Sequence, residues 1–182
     1  MWGAVVLAGG RGARLGGVDK PALVVAGRTL LDRAVDAVAG ADPVVVVGPV
    51  RPLGTVVRWT REGTPGSGPV AALAAGLAVV DRADDAVVVV LAADLPTITR
   101  ATVARLRAAV GATGAVLVDS SGRDQWLLSA WRVGVLRAAL PVVVENASLR
   151  GVLSGLGAAR VPDVDGSSTD IDTPADLTPF TE

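Results

Sequence analysis

Short apolar runs separated by glycine, proline and charged residues recur along the chain, and their lengths and periods predict alternating strands and helices. Residues 4–7 are apolar and run into Ala8-Gly9-Gly10, the pattern of a buried strand feeding a glycine-rich loop that lasts until about Lys20. Residues 22–25 predict a short strand ended by Gly27-Arg28. Thr29 is placed to cap a helix whose apolar positions Leu30, Leu31, Ala34, Val35 and Val38 share one face, with Gly40 closing it. Strands are expected over 44–47 and 56–59, the first bounded by Pro43 and Gly48. A Gly/Pro-rich loop over 63–69 follows, and Pro69 suits the first turn of a helix reaching about Val80. Gly76 inside that helix marks either close packing or a tolerated weak point.

Residues 86–91 contain four consecutive valines and predict a central strand, with Asp94 just past its carboxyl end. A helix over 99–110, a strand over 115–118, a Ser120-Ser121-Gly122 turn and a returning strand over 126–131 come next, followed by helical stretches over 133–140 and 149–153. The order of the main elements, β-α-β-β-α-β-α-β-β-α, argues a three-layer α/β fold of Rossmann-like type: a mainly parallel sheet, helices on both faces and a small antiparallel insertion.

Composition fits that reading. Hydrophobic residues make up 51% of the 182, mostly Ala, Val and Leu with one Phe and no Tyr, so the core is built from small branched side chains. The length suits one domain, expected over 1–182, and no internal repeat or linker interrupts it. Seventeen basic and eighteen acidic residues leave a net charge of -1, which provides no field for a nucleic acid backbone. The apolar run 86–93 is far shorter than the roughly 20 residues of a membrane helix, and Met1-Trp2-Gly3 lacks the basic start of a secretory signal. The expectation is a cytoplasmic protein with neither a nucleic-acid nor a membrane partner. With no Cys and no His, disulfides, thiolate nucleophiles and a Ser-His-Asp triad are excluded, and structural zinc is disfavoured. Carboxylates, Lys, Arg, backbone amides and a hard ion such as Mg²⁺ remain, and these are the tools of phosphoryl and nucleotidyl transfer.

Four segments can carry such chemistry. In the first loop, glycines let backbone N–H groups approach a phosphate chain while Arg14 and Lys20 neutralise its charge. The loop is neither a Walker A motif, since Val18 follows Gly17, nor a dinucleotide fingerprint, since Leu15 stands where the third Gly belongs. Read blandly, it is a surface loop with solvated charges. Asp94 lies in the crevice zone of open α/β sheets and can hold Mg²⁺ against a triphosphate, or it can serve as a turn or cap residue. In Thr169-Asp170-Ile171-Asp172-Thr173-Pro174-Ala175-Asp176, Asp172 is expected to share the ion with Asp94, while Thr173, Pro174 and Asp176 begin a final helix. Glu62, ahead of Gly68-Pro69, can accept two hydrogen bonds from the N1 and exocyclic amine of guanine, although such a loop is also read as a plain connection.

Taken together, Leu7-Ala8-Gly9-Gly10 with Arg14, Gly16 and Asp19-Lys20, then Gly68-Pro69, Asp94-Leu95-Pro96 and Asp172-Thr173-Pro174-Ala175-Asp176-Leu177, resemble the molybdenum cofactor guanylyltransferase family across nearly the whole chain. The resemblance implies a Rossmann-like nucleotidyltransferase fold that transfers GMP from Mg-bound GTP to the terminal phosphate of molybdopterin. It implies that Leu7, Ala8, Gly9, Gly10, Arg11 and Gly12 wrap the triphosphate together with Arg14 and Lys20, and that Asp94 and Asp172 are metal-side residues with Mg²⁺ as cofactor. Glu62 and Gly68 are then expected at the nucleotide. Many members of the family have Asn where Asp172 stands and Gly-Pro-Leu-Ala-Gly where this chain has Gly68-Pro69-Val70-Ala71-Ala72. The acceptor side is expected at Arg123, Gln125 and Trp126 on the hairpin, with Asn146 and Arg150 as further members, while Trp126 fits a core position equally well. A protein that handles the molybdenum cofactor is a possible transient partner. Three alternatives stay open: a cytidylyltransferase for the same cofactor, a transferase to another small phosphorylated acceptor, and a nucleotide-binding regulator without turnover.

Overall fold

A computed structural model describes residues 1–9, 18–171 and 176. The chain opens with β1 (Trp2–Leu7); after a 3-10 turn at Lys20–Ala22, a small hairpin of β2 (Val24–Val25) and β3 (Arg28–Thr29) leads into α1 (Leu30–Ala37). The strand expected over 22–25 is therefore shorter, because Pro21 starts a tight turn that takes up Ala22. The Thr29 side chain caps α1 by accepting from the Asp32 N–H at 3.0 Å. β4 (Val44–Val47), β5 (Arg58–Thr60), α2 (Pro69–Val79) and β6 (Val87–Ala92) follow, then α3 (Arg100–Ala108), capped by Thr99. β7 (Gly114–Val118) and β8 (Asp124–Arg132) form the antiparallel insertion, and α4 (Val133–Ala139), α5 (Leu149–Leu153) and β9 (Ala159–Pro162) complete the described order. β5 begins later than the expected 56–59 because Val56 is almost fully exposed and stays outside the sheet.

Among the described residues the main sheet has the strand order β5-β4-β1-β6-β8-β7-β9. β5, β4, β1 and β6 are mutually parallel, and β8 alone runs against its neighbours β6 and β7. The central strands are apolar on both faces because both are covered. Ala4, Val6 and Ala8 pack with Ala34, Val38, Val103 and Leu106 of the α1/α3 layer. Val5 and Leu7 pack with Val70, Leu73, Leu77, Leu136 and Leu153 of the α2/α4/α5 layer. That double burial is why parallel strands read as unbroken valine runs rather than alternations. No helix among the described residues is long and apolar enough to cross a membrane.

The chain leaves β1 to build β4 and β5 on one side and returns with β6 on the other, so a switch point lies between β1 and β6 at their carboxyl ends. Ligands of open α/β sheets bind in that crevice. The segment after β1 and Asp94 after β6 both enter it.

Gly76 marks close packing rather than tolerance: a Cβ there would overlap Val5 Cγ1 and lie 3.0 Å from Val47 Cγ2. Both valines are fixed in central strands. We expect Gly76→Val to cost about 1–3 kcal/mol through overpacking, although valine is the better helix former. Urea unfolding measures this, and an undiminished midpoint would show slack between α2 and the sheet.

Candidate functional site

At the carboxyl edge the backbone is tied crosswise between strands. The Ala93 N–H donates to Leu7 O at 3.0 Å, and the Ala8 N–H donates to Val47 O at 2.8 Å. Gly48 has φ +150 and touches the end of β1 so closely that a Cβ would sit 2.7 Å from Ala8 O. These contacts bring Leu7, Ala8 and Gly9 to a fixed place beside Asp94. Gly10, Arg11, Gly12, Arg14 and Asp172 lie outside the described residues, as does most of the final helix expected after Thr173.

Lys20 and Asp94 are brought together, Nζ 3.9 Å from Oδ2, with side chains 16% and 27% exposed. A cation and a carboxylate so placed at the mouth of a crevice are both accessible to a polyanion and its counter-ion. The Asp94 carbonyl accepts from the Ile171 N–H at 3.2 Å, so the segment that leads into Asp172 is tied to the Asp94 loop. Ile171 is fully buried against Val25 and Leu30.

Glu62 is half-buried and accepts from the Gly66 N–H at 3.0 Å through Oε1. The same oxygen lies 3.9 Å from where a Cβ on Gly9 would stand, so the loop after β5 faces the start of the first loop. Gly68 begins α2 with φ +94 and abuts Asn146, whose N–H donates to the buried Ser67 O at 2.7 Å. Asn146 is thereby held at the start of the helix that follows Glu62.

The other acceptor-side expectations fare differently. β8 carries a register shift: Val116 pairs with Ser129 but Leu117 pairs with Gln125, leaving residues 126–128 as a bulge opposite β7, near the carboxyl end of β6. Bulges of this kind re-aim side chains next to sites. Trp126 is half-buried against the α2/α4/α5 core layer, and the fully buried tryptophan is Trp131, whose Nε1 donates to Ser129 Oγ at 2.8 Å. Gln125 donates to Asp119 Oδ2 at 2.7 Å inside the hairpin. Arg123 and Arg150 are exposed, one on the hairpin turn and one on α5.

Two sets of contacts are absent from the sequence reading. Arg51, on the turn after β4, joins Ala8 to Asp19. A strap over 163–171 is held to α3 and to the Asp94 loop. Thr102 donates to Asp165 Oδ2 at 2.9 Å and meets Ser167 Oγ at 2.7 Å; Arg105 donates to the same Asp165 oxygen at 3.0 Å, and Thr97 Oγ1 donates to Gly166 O at 2.7 Å. Burial opposes charge on Asp165, but the bonds from Arg105, Ser167 and Thr102 outweigh it and hold the carboxyl well below the usual range. The only sequence signal was the density of Asp, Gly and Ser over 163–170.

A doubly wound sheet with a lysine and a carboxylate brought together at its switch point is the frame of a nucleotide-handling α/β protein. The chain belongs to the MobA-like NTP transferase domain family, which matches residues 4–163. A molybdenum cofactor guanylyltransferase of Acidiphilium cryptum (strain JF-5) is 37% identical over 143 residues, covering 74% of this chain and 69% of that protein. One of Rhodobacter capsulatus is 30% identical over 95% of this chain and 91% of its own length. Among solved structures, a nucleotidyl transferase from Methanothermobacter thermautotroptrophicus superposes with TM-score 0.77 at 24% identity, covering 98% of this chain and 95% of that one. A 2-C-methyl-D-erythritol 4-phosphate cytidylyltransferase from Thermus thermophilus gives 0.70 at 21%, covering 99% and 97%. At these identities the last two speak for the fold alone.

The hairpin turn also carries a pH dependence. Side-chain donation from Ser121, then the Arg123 N–H, Gln125 and the Ser121 N–H, lower the Asp119 carboxyl from 3.8 to about 2. A carboxylate depressed in the folded state stabilises it above the ordinary value and loses that contribution as pH falls toward the folded one. The turn should therefore loosen between about pH 4 and about pH 2, and Asp119→Asn should flatten the acid limb of a fluorescence-monitored unfolding profile over that window. An identical acid limb in the variant would remove Asp119 from the cause.

Proposed function

We propose that this protein transfers GMP from GTP to the terminal phosphate of molybdopterin in the cytoplasm, acting as a single domain. The observation that carries the reading is Lys20 beside Asp94 at the β1/β6 switch point, with Glu62 facing Gly9 across the mouth. The relatives of Acidiphilium cryptum and Rhodobacter capsulatus, both named for guanylyl transfer, support it.

Asp94 fits a divalent ion by its chemistry: it is a partly exposed hard-oxygen donor where a triphosphate would lie, and Mg²⁺ needs only one or two protein carboxylates when substrate phosphates supply further oxygens. Among the described residues no group of three or more metal-binding side chains forms, so a cage made wholly of protein is not what they build. Asp94 would hold the ion, and we assign Asp172 as the second carboxylate. Bound there, Mg²⁺ supplies charge neutralisation at the reacting phosphates.

The protein's own part is alignment and electrostatics. Lys20 and Arg14 take charge from the triphosphate, and the amides of Gly9, Gly10 and Gly12 orient it. An oxygen of the molybdopterin phosphate attacks the α-phosphorus in line; the new P–O bond forms as the bond to the β-phosphate oxygen breaks, and pyrophosphate leaves. A phosphate monoester is already anionic near neutral pH, so no histidine base is required. Glu62 selects guanine through its N1 and amine hydrogens, and the bulge of β8 and its hairpin turn, with Arg123, Gln125, Trp126, Asn146 and Arg150, face the acceptor. A protein that hands over the unstable molybdopterin is a fitting transient partner.

Calorimetric titration with GTP, CTP, ATP and UTP, each with and without Mg²⁺, tests the reading. We expect selective, Mg-dependent binding of GTP; selective CTP binding would redirect the assignment to a cytidylyltransferase, and binding without any pyrophosphate release on supply of molybdopterin would make the protein a regulator. Asp94→Ala is expected to lower Mg-dependent turnover by roughly a hundredfold or more with the fold intact, and Lys20→Ala to weaken productive nucleotide binding. Full turnover in either variant removes that residue from the mechanism.

A further inference from the structure

Arg51 stands on the turn after β4 with only 12% of its side chain exposed. All three of its guanidinium nitrogens donate. Nε and Nη2 donate to the two carboxylate oxygens of Asp19 at 2.8 and 2.5 Å, while Nη1 donates to Ala8 O at 3.1 Å and Pro49 O at 3.0 Å. Ala8 is the residue directly after β1, and Asp19 directly precedes Lys20. One side chain therefore bridges the two ends of the glycine-rich segment and anchors both to the turn after β4.

We propose that Arg51 is a positioning residue: a clamp at the base of the nucleotide loop that fixes where the loop leaves β1 and where Lys20 re-enters beside Asp94. The proposal rests on reading the first loop as the triphosphate site. A planar guanidinium can hold a carboxylate on two atoms and still donate to two carbonyls, a geometry that the single ammonium of lysine cannot reproduce. The ion pair alone would mean little, because the Asp19 side chain is 52% exposed and such pairs are screened. What distinguishes Arg51 is that its partners belong to both ends of one loop. Closing a loop costs conformational entropy, and a closure built into the folded protein spares the nucleotide that cost on binding. It also sets the starting point of the Lys20 side chain, where small displacements are expensive for a reaction that depends on alignment.

The test compares wild type with Arg51→Ala, Arg51→Lys, Asp19→Asn and the Asp19→Asn/Arg51→Ala double variant. Three readings are taken: kcat and KM for GTP in Mg-dependent pyrophosphate release, the thermal midpoint, and the rate of tryptic cleavage after Arg11 and Arg14 without nucleotide. Arg51→Ala and Arg51→Lys should both lower kcat/KM for GTP by roughly 10- to 100-fold while still melting cooperatively. The double variant should be no worse than Arg51→Ala, since the two residues act through one contact. Cleavage of the loop should quicken in every variant. Wild-type kcat/KM in Arg51→Lys would show that charge suffices and overturn the clamp, as would unchanged turnover in Arg51→Ala. Should Arg51→Ala fail to fold, Arg51→Lys and Asp19→Asn decide the matter by the same readings. If wild type itself transfers no nucleotide, the functional reading fails separately, and unchanged tryptic cleavage in the variants would then overturn the clamp by itself.

Discussion

The carboxyl end of β1 is the point on which the rest of the site depends. Three neighbours take its backbone groups in succession: Ala93 binds Leu7 O, Val47 O binds the Ala8 N–H, and Arg51 binds Ala8 O. A strand that ends in a ligand loop has backbone groups with no sheet partner of their own, and a buried group left unpaired costs about 1–3 kcal/mol. Here the extensions of β6 and β4 and the arginine supply the partners. The absence of a Cβ at Gly48 makes the approach possible, since a methyl group there would collide with Ala8. The loop consequently begins at a defined place, beside the residues that carry the chain from β6 to Asp94.

Burial explains why the frame was legible in the sequence. β1, β4 and β6 are covered on both faces, so their valine runs announce themselves, and Thr29, Thr99 and Pro69 mark helix starts by hydrogen-bonding chemistry that is local. β9 went unread because it is an edge strand: Ala159, Arg160 and Pro162 are exposed, and no alternation of apolar residues sets it apart from a loop. The bulge in β8 was equally silent, because the three extra residues 126–128 are themselves apolar and continue the run of the strand.

For the site, the residues that the sequence brought forward were those whose type suits phosphate chemistry, and Lys20 and Asp94 do meet. Arg51 was passed over because an arginine on a proline-containing turn looks like any solvated charge; its meaning lies in partners at positions 8 and 19, far away in sequence. Gln125 was read as an acceptor contact from its place on the hairpin, and that reading could not show that its amide donates to Asp119. Polar side chains advertise their chemistry but not their partners, so pairings over long sequence separations are what a single sequence conceals.

The strap over 163–171 shows why such pairings set position where apolar burial does not. Among the described residues Ile171 packs against Leu23, Val25 and Leu30, and burying one isoleucine is worth roughly 1.5–3 kcal/mol however it is rotated or slid by a fraction of an ångström. Hydrogen bonds are directional. Asp165 receives Thr102, Ser167 and Arg105 at once, and Gly166 O receives Thr97 from the loop that carries Asp94, so the strap has one register in which all are satisfied. Thr102 and Ser167 are fully buried, and a slipped register would leave their hydroxyls without partners in a place water does not reach. The network thus contributes to precision more than to total stability, and it does so between the segment that leads toward Asp172 and the loop that carries Asp94.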